Sequence, residues 1–249
     1  MKFLTLLRDL LPVSVRPTHI LQSHVISQTG RKVIAGPFQG LDYVSEACGS
    51  AYYPKLLGCY EKELHNVVVE ILQSSPGTIV DIGAAEGYYA VGIASRLKNS
   101  KVIAFETEEH ARNLMASLAA KNRISNLEIK GSCTVEELNS LERNGVTVIV
   151  CDCEGFEEVL LDPSQNHWLE NACILVELHP WVAPDIENIL QKRFSPTHTI
   201  QVIHQADRKL RDFPLRSLIC RFVPPYYVLR LINEGRPIRM SWYWMKPKC

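Results

Sequence analysis

The sequence lacks an excess of either charge: 27 lysines and arginines balance 27 aspartates and glutamates over 249 residues. A chain without net charge exerts no general pull on a phosphate backbone, which argues against a nucleic-acid partner. Apolar runs of the roughly 20 residues needed to cross a bilayer are missing too, so integral membrane association is not expected. The Gly-x-Gly-x-x-Gly turn that receives a dinucleotide pyrophosphate is absent. Paired cysteine spacing of the metal-binding kind is also absent, although there are eight cysteines. Cys151 and Cys153, separated by one residue in a predicted strand, are expected on opposite faces and so not as joint ligands of one metal. Reduced, buried thiols and a cytoplasmic location are the expectation. The leucine-rich start, Met1 to Leu11, is interrupted by Arg8 and Asp9 and is followed by no small-residue cleavage site. It is read as an amphipathic helix and not as a signal peptide.

From residue 61 onward, helical and strand periodicities alternate. Glu61 to Gln73 places Leu64, Val67, Val68 and Ile71 on one helical face. Strands are predicted at Thr78 to Ile82, Lys101 to Phe105, Leu127 to Lys130, Val146 to Cys151 and Ile174 to Leu178. Helices are predicted between them at Tyr88 to Leu97, Glu108 to Asn122 and Val135 to Arg143, with Pro184 to Lys192 after the last strand. Apolar strands alternating with helices predict an α/β fold, Rossmann-like, with a mostly parallel sheet covered on both faces. Residues 12–60, rich in proline, glycine and aromatics, read as turns and short strands of an N-terminal extension. Late strands are expected at His198 to His204 and Met240 to Met245, separated by an insertion over 205–236 that is read as a cap. His204, Arg208 and Arg211, which follow the first of these, are read as a solvated basic face.

The most informative stretch is Thr78-Ile79-Val80-Asp81-Ile82-Gly83-Ala84-Ala85-Glu86-Gly87. A strand ending at Asp81, a turn allowed by Gly83 and a helix opened after Gly87 make a nucleotide-type turn. Asp81 and Glu86 in that turn repel a pyrophosphate and suit an ammonium or a hydroxyl. A ligand with a cationic amino acid part and a ribose but no phosphate fits best, and S-adenosylmethionine has both. About 20 residues on, the strand Lys101 to Phe105 ends in Glu106, where a carboxylate accepts hydrogen bonds from both ribose hydroxyls. Gly83, Ala84, Glu86 and Gly87 are the remaining candidates for cofactor contact. Tyr60-Glu61 is a further candidate to close over the methionine part. Of Tyr88 and Tyr89, one is expected to face the ligand and the other the core.

Val80 to Tyr89, Val102 to Glu106, Cys151-Asp152-Cys153-Glu154-Gly155-Phe156-Glu157 and Leu175-Val176-Glu177-Leu178-His179 together resemble the FkbM family of class I S-adenosylmethionine-dependent methyltransferases. The resemblance covers roughly residues 60–195, and the Asp-x-Glu-Gly-x-Glu element is its most specific part. It implies a seven-stranded sheet and methyl transfer to an oxygen of a small molecule or a sugar. The segment from Leu127 to Val135 is shorter than the family's usual connection. Gly131, Ser132 and Cys133 are its candidates for adenine contact.

Methyl transfer from a sulfonium needs a nucleophile held in line, and a neutral hydroxyl benefits from a base or a metal. Asp152 and Glu154 end one predicted strand, and Glu177 and His179 end another. These four polar groups are the expected reaction edge, with His179 as general base and Asp152 also a candidate for the cofactor's amino group. If a metal is present, the same four residues are its candidate ligands, in a set that suits magnesium or manganese. Glu157 and Glu158 read as the solvated first turn of the next helix. Two other readings stay open: an NAD-dependent oxidoreductase on the same type of sheet, and a non-catalytic module that binds S-adenosylmethionine. The acceptor stays open among small-molecule and glycan hydroxyls and amines.

Overall fold

A computed structural model describes residues 16–216, 222–236 and 238–248. The helix expected over Met1 to Leu11 lies outside these residues. Among the described residues the chain divides into two compact units. One comprises residues up to 46, 50–62 and 206–235; the other comprises 47–49, 63–205 and 236 onward.

The second unit holds the sheet. Its strands are β1 (Thr78–Ile82), β2 (Lys101–Phe105), β3 (Leu127–Lys130), β4 (Thr147–Cys151), β5 (Cys173–Leu178), β6 (His198–His204) and β7 (Ser241–Pro247). Their order is β3-β2-β1-β4-β5-β7-β6, with β7 antiparallel to both neighbours and the other pairs parallel. Every residue of β1 and β4 is buried, as continuous apolar strands covered on both faces require. Chain order reverses between β1 and β4, and the crevice beyond the strands' C-terminal ends at such a reversal is where open α/β sheets bind ligands.

The second unit's helices are His65–Ser74, Tyr88–Arg96, Glu109–Lys121, Val135–Ser140, Glu157–Leu160 and Ile186–Phe194. They are α3 to α8 in chain order, and two helices of the first unit precede them. Val67, Val68 and Ile71 are the buried face of α3, as their spacing predicts. Gly87, at φ 92°, caps α4, and a Cβ there would come within 2.5 Å of Met115 Cγ on α5. The glycine is therefore demanded by helix packing as well as by the turn. Tyr88 points into the core, while Tyr89 is half-buried.

Two expectations are corrected here. Cys151 and Cys153 share a face: their sulfurs are 3.6 Å apart, as residues two apart along an extended chain must be placed. Residues 12–60 carry two helices, α1 (Pro17–Thr29) and α2 (Tyr52–Leu57), where turns and short strands were expected. Pro17 and Gly30, which read as breakers, stand at the start of α1 and in the left-handed position just past its end, where each residue is favoured. Leu21 and Val25, one turn apart on α1, pack with Leu57 and with Val228, Leu231 and Ile232 of α9 (Pro225–Ile232) as the first unit's core.

In the same unit the Arg208 side chain is buried and paired with Glu234, so it is not part of a solvated basic face. Glu61, in a left-handed backbone conformation, donates its N–H to Glu234 Oε1 at 3.0 Å, while Tyr60 lies beneath the Lys55 ammonium. No helix among the described residues is long and apolar enough to cross a membrane.

Candidate active site

At the C-terminal end of β1 the backbone amides are spent inside the protein. Gly83 and Ala84 donate to Phe105 O at 2.9 and 3.0 Å, Gly87 donates to Ala84 O at 2.8 Å, and Ala85 donates to Glu106 Oε2 at 2.7 Å. Gly83 is glycine because the chain after β4 crosses it: a Cβ would sit 1.6 Å from the carbonyl oxygen of Asp152. Asp81 is buried at the end of β1.

Glu106, just past β2, is held from two sides. Oε2 receives the Ala85 amide, and Oε1 receives that of Glu108 at 2.8 Å. Thr107 Oγ1 makes a long second contact to Oε1 at 3.5 Å, so of the carboxylate's roughly four acceptor positions the freest is on Oε2, and the long Thr107 contact is the one a ribose hydroxyl can displace. Arg112 donates to Glu106 O and Thr107 O and pins the connection to α5. Glu86 is placed otherwise than expected. It has no exposed surface, and its Oε2 accepts the amide of Cys48 at 3.1 Å, so it anchors a loop inside the unit. Ser132 and Gly131 are exposed beyond β3, before the Thr134–Glu137 capping box that starts α6.

The second half of the edge is a cluster around His179. The histidine follows β5 and is 1% exposed. Its Nδ1 donates to Glu157 Oε1 at 2.8 Å, and Glu157 also accepts the Cys153 amide at 3.1 Å. Nε2 faces Asp152 Oδ1 at 3.4 Å, Glu154 Oε2 at 3.6 Å and Glu177 Oε1 at 3.9 Å. Burial works against a charged imidazole, but the bond to Glu157 and the charges of Glu157, Asp152 and Glu154 outweigh it and raise the His179 pKa. Burial likewise disfavours the Glu157 carboxylate, yet its bond to His179 and the backbone donors hold its pKa below the ordinary value.

Three consequences follow for the expected reaction edge. Asp152, Glu154 and His179 lie together, with Glu154 80% exposed on its side chain and open to an incoming molecule. Glu157 was expected in solvent but is fully buried in the cluster's interior, because α7 begins directly under the β5 end and turns its first residue inward. Glu177 is committed elsewhere: Arg236 pairs with Oε1, and Trp242 Nε1 donates to Oε2 at 3.0 Å. Arg236 and Trp242 were missed by sequence reading. Only the Trp-Tyr-Trp alternation of the last strand hinted that one of its residues turns toward the sheet's interior. Gly155, at φ 107°, lets the loop pass Val182, which a Cβ would meet at 2.4 Å. Phe156, Val159, Trp181 and Val182 expose apolar surface on the loops and helix flanking the cluster, and Trp181 stands edge-on to the His179 ring at 4.9 Å.

No protein-family model matches the chain, and no curated protein matches it. Solved structures do. An rRNA methylase from Streptococcus thermophilus aligns with a TM-score of 0.50 at 11% identity, over 75% of this chain and 97% of that one. The assigned methyltransferase yhhF from Escherichia coli aligns with a TM-score of 0.50 at 12% identity, over 88% and 98%. The fold is thus the Rossmann-like fold of class I methyltransferases, with the mostly parallel seven-stranded sheet that the FkbM resemblance implied.

Proposed function

We propose that this protein transfers a methyl group from S-adenosylmethionine to an oxygen of a small-molecule or sugar acceptor. The observation that carries the reading is the state of the turn after β1. Four of its amides already donate inside the protein, one of them to Glu106, whose carboxylate keeps acceptor capacity on Oε2 and holds Thr107 on Oε1 only by a long contact. A pyrophosphate requires free amides and no facing acid, which disfavours the dinucleotide alternative. A ribose requires an acceptor for two hydroxyls, and Glu106 supplies one. Asp81, at the end of the neighbouring strand, suits the cofactor's ammonium.

In this reading the acceptor lies against the apolar rim of Phe156, Trp181 and Val182, with its hydroxyl toward Asp152 and Glu154. The exposed Glu154 carboxylate is placed to take the proton as the oxygen attacks the methyl carbon. His179, nearly inaccessible and bound to Glu157, is a positioning residue and not the base. A divalent cation, magnesium or manganese, belongs to the same reading. The Asp-x-Glu-Gly-x-Glu and Glu-x-His elements supply the cluster's acids and its histidine, which supports placing the chain among the FkbM methyltransferases.

Calorimetry with S-adenosylhomocysteine and, separately, NAD tests the reading. Saturable binding of the former alone is expected, and preference for NAD overturns the proposal.

A further inference from the structure

The pairing of His179 with Glu157 leaves the other side of the ring unexplained. The side chain is nearly inaccessible, and Nε2 points at oxygens of Asp152 and Glu154 that stand at 3.4 and 3.6 Å, beyond ordinary hydrogen-bond length. Glu157 Oε2 is an atom of the same cluster that is fully buried and has no hydrogen-bond partner. Donor atoms from Asp152, Glu157 and His179 lie within 4.8 Å of one another. Buried polar atoms left bare are costly, and several carboxylates packed around one imidazole add mutual repulsion.

We propose that His179 Nε2, Asp152 and Glu154 bind a divalent cation, and that Glu157 orients the imidazole from the second shell of that ion. An ion about 2.0–2.4 Å from each donor places neighbouring donors roughly 3–3.5 Å apart, close to the two separations observed from Nε2, 3.4 Å to Asp152 and 3.6 Å to Glu154. A ligating histidine characteristically donates its other ring N–H to a carboxylate, which fixes the tautomer. Nδ1–H to Glu157 Oε1 at 2.8 Å is that arrangement. Glu177 is excluded from the ligand set because Arg236 and Trp242 already occupy its oxygens. Glu154, the most exposed donor, leaves the ion open on the solvent side, where an acceptor hydroxyl can join the shell and pass its proton to the Glu154 oxygen that does not hold the ion.

The assignment deepens the methyltransferase reading by naming the aid to acceptor activation, and it rests on taking this edge as the reacting half of the site. It is tested without any cofactor, so that its failure and that of the S-adenosylmethionine reading are separable. The full-length protein, stripped with chelator, is titrated with MnCl2 alone and followed by calorimetry and by the paramagnetic resonance signal of free Mn2+. One ion per chain is expected. Asp152→Asn and Glu154→Gln should each weaken binding about tenfold or more, and Glu157→Gln about 10- to 100-fold. Should Glu157→Gln fail to fold, the wild-type ring signals serve instead: Mn2+ should broaden those of His179 and spare those of His198. No saturable binding, binding indifferent to Asp152→Asn, or an unbroadened His179 overturns the proposal.

Discussion

Glu157 Oε1 and His179 Nδ1 stand 2.8 Å apart in the interior of the sheet unit, joining the first turn of α7 to the end of β5. Removing one partner of a buried pair strands the other. Glu157→Ala is therefore expected to lower stability by about 3–5 kcal/mol. Urea denaturation with a fluorescence readout measures it; a loss below about 1 kcal/mol means that the pair is not what holds this corner together.

Glu106→Ala should weaken S-adenosylhomocysteine binding about 10- to 100-fold, the loss of one or two hydrogen bonds to a charged acceptor. Glu106→Gln should fall between the variant and the wild type. An unchanged dissociation constant in both would remove the ribose assignment.

Gly83→Ala is expected to abolish the folded sheet unit. The added Cβ meets backbone, not a movable side chain, at 1.6 Å from Asp152 O, in a conformation with φ 80° that disfavours any side chain. Circular dichroism of the expressed variant decides; a native spectrum with native cofactor affinity contradicts the turn geometry.

His198 gives a pH dependence. Burial lowers its pKa, outweighing its bond to the Ala172 carbonyl. The unfolded chain therefore takes up this proton more readily than the folded one. Stability should be complete above the unfolded value, roughly pH 6.5, and should fall as pH drops below it. Denaturation at about pH 7.5 and pH 5.5 should show this loss in the wild type and a smaller one in His198→Asn. Equal losses in the two would assign the acid sensitivity to other groups.

Much of this was legible in the sequence because a buried parallel strand announces itself. The runs at Thr78–Ile82, Lys101–Phe105 and Leu127–Lys130 have the predicted bounds, since each is apolar or β-branched up to a turn residue or an acid. Helix α1 was not legible because proline and glycine signal both ends of helices and the bodies of loops, and only the packing of Leu21 and Val25 tells which. Asp152, Glu154 and His179 were found as strand-end polar groups. Glu157 was not, because an acid in a helix's first turn is usually solvated, and its burial depends on a strand end 22 residues further along. The partners of Glu177 were not legible for the same reason: Arg236 and Trp242 lie 59 and 65 residues away.

That last separation bears on how the chain assembles. Strand β7 enters between β5 and β6, so the residue that neutralises Glu177 beside the cluster and the tryptophan that holds its other oxygen arrive only with the final strand. Because β7 is the last strand of the chain, both partners are synthesised after every parallel strand. A chain still being synthesised thus has the Asp81–Gly87 turn before it has the two side chains that settle Glu177 beside His179. If the proposed function holds, competence to bind precedes competence to react during synthesis.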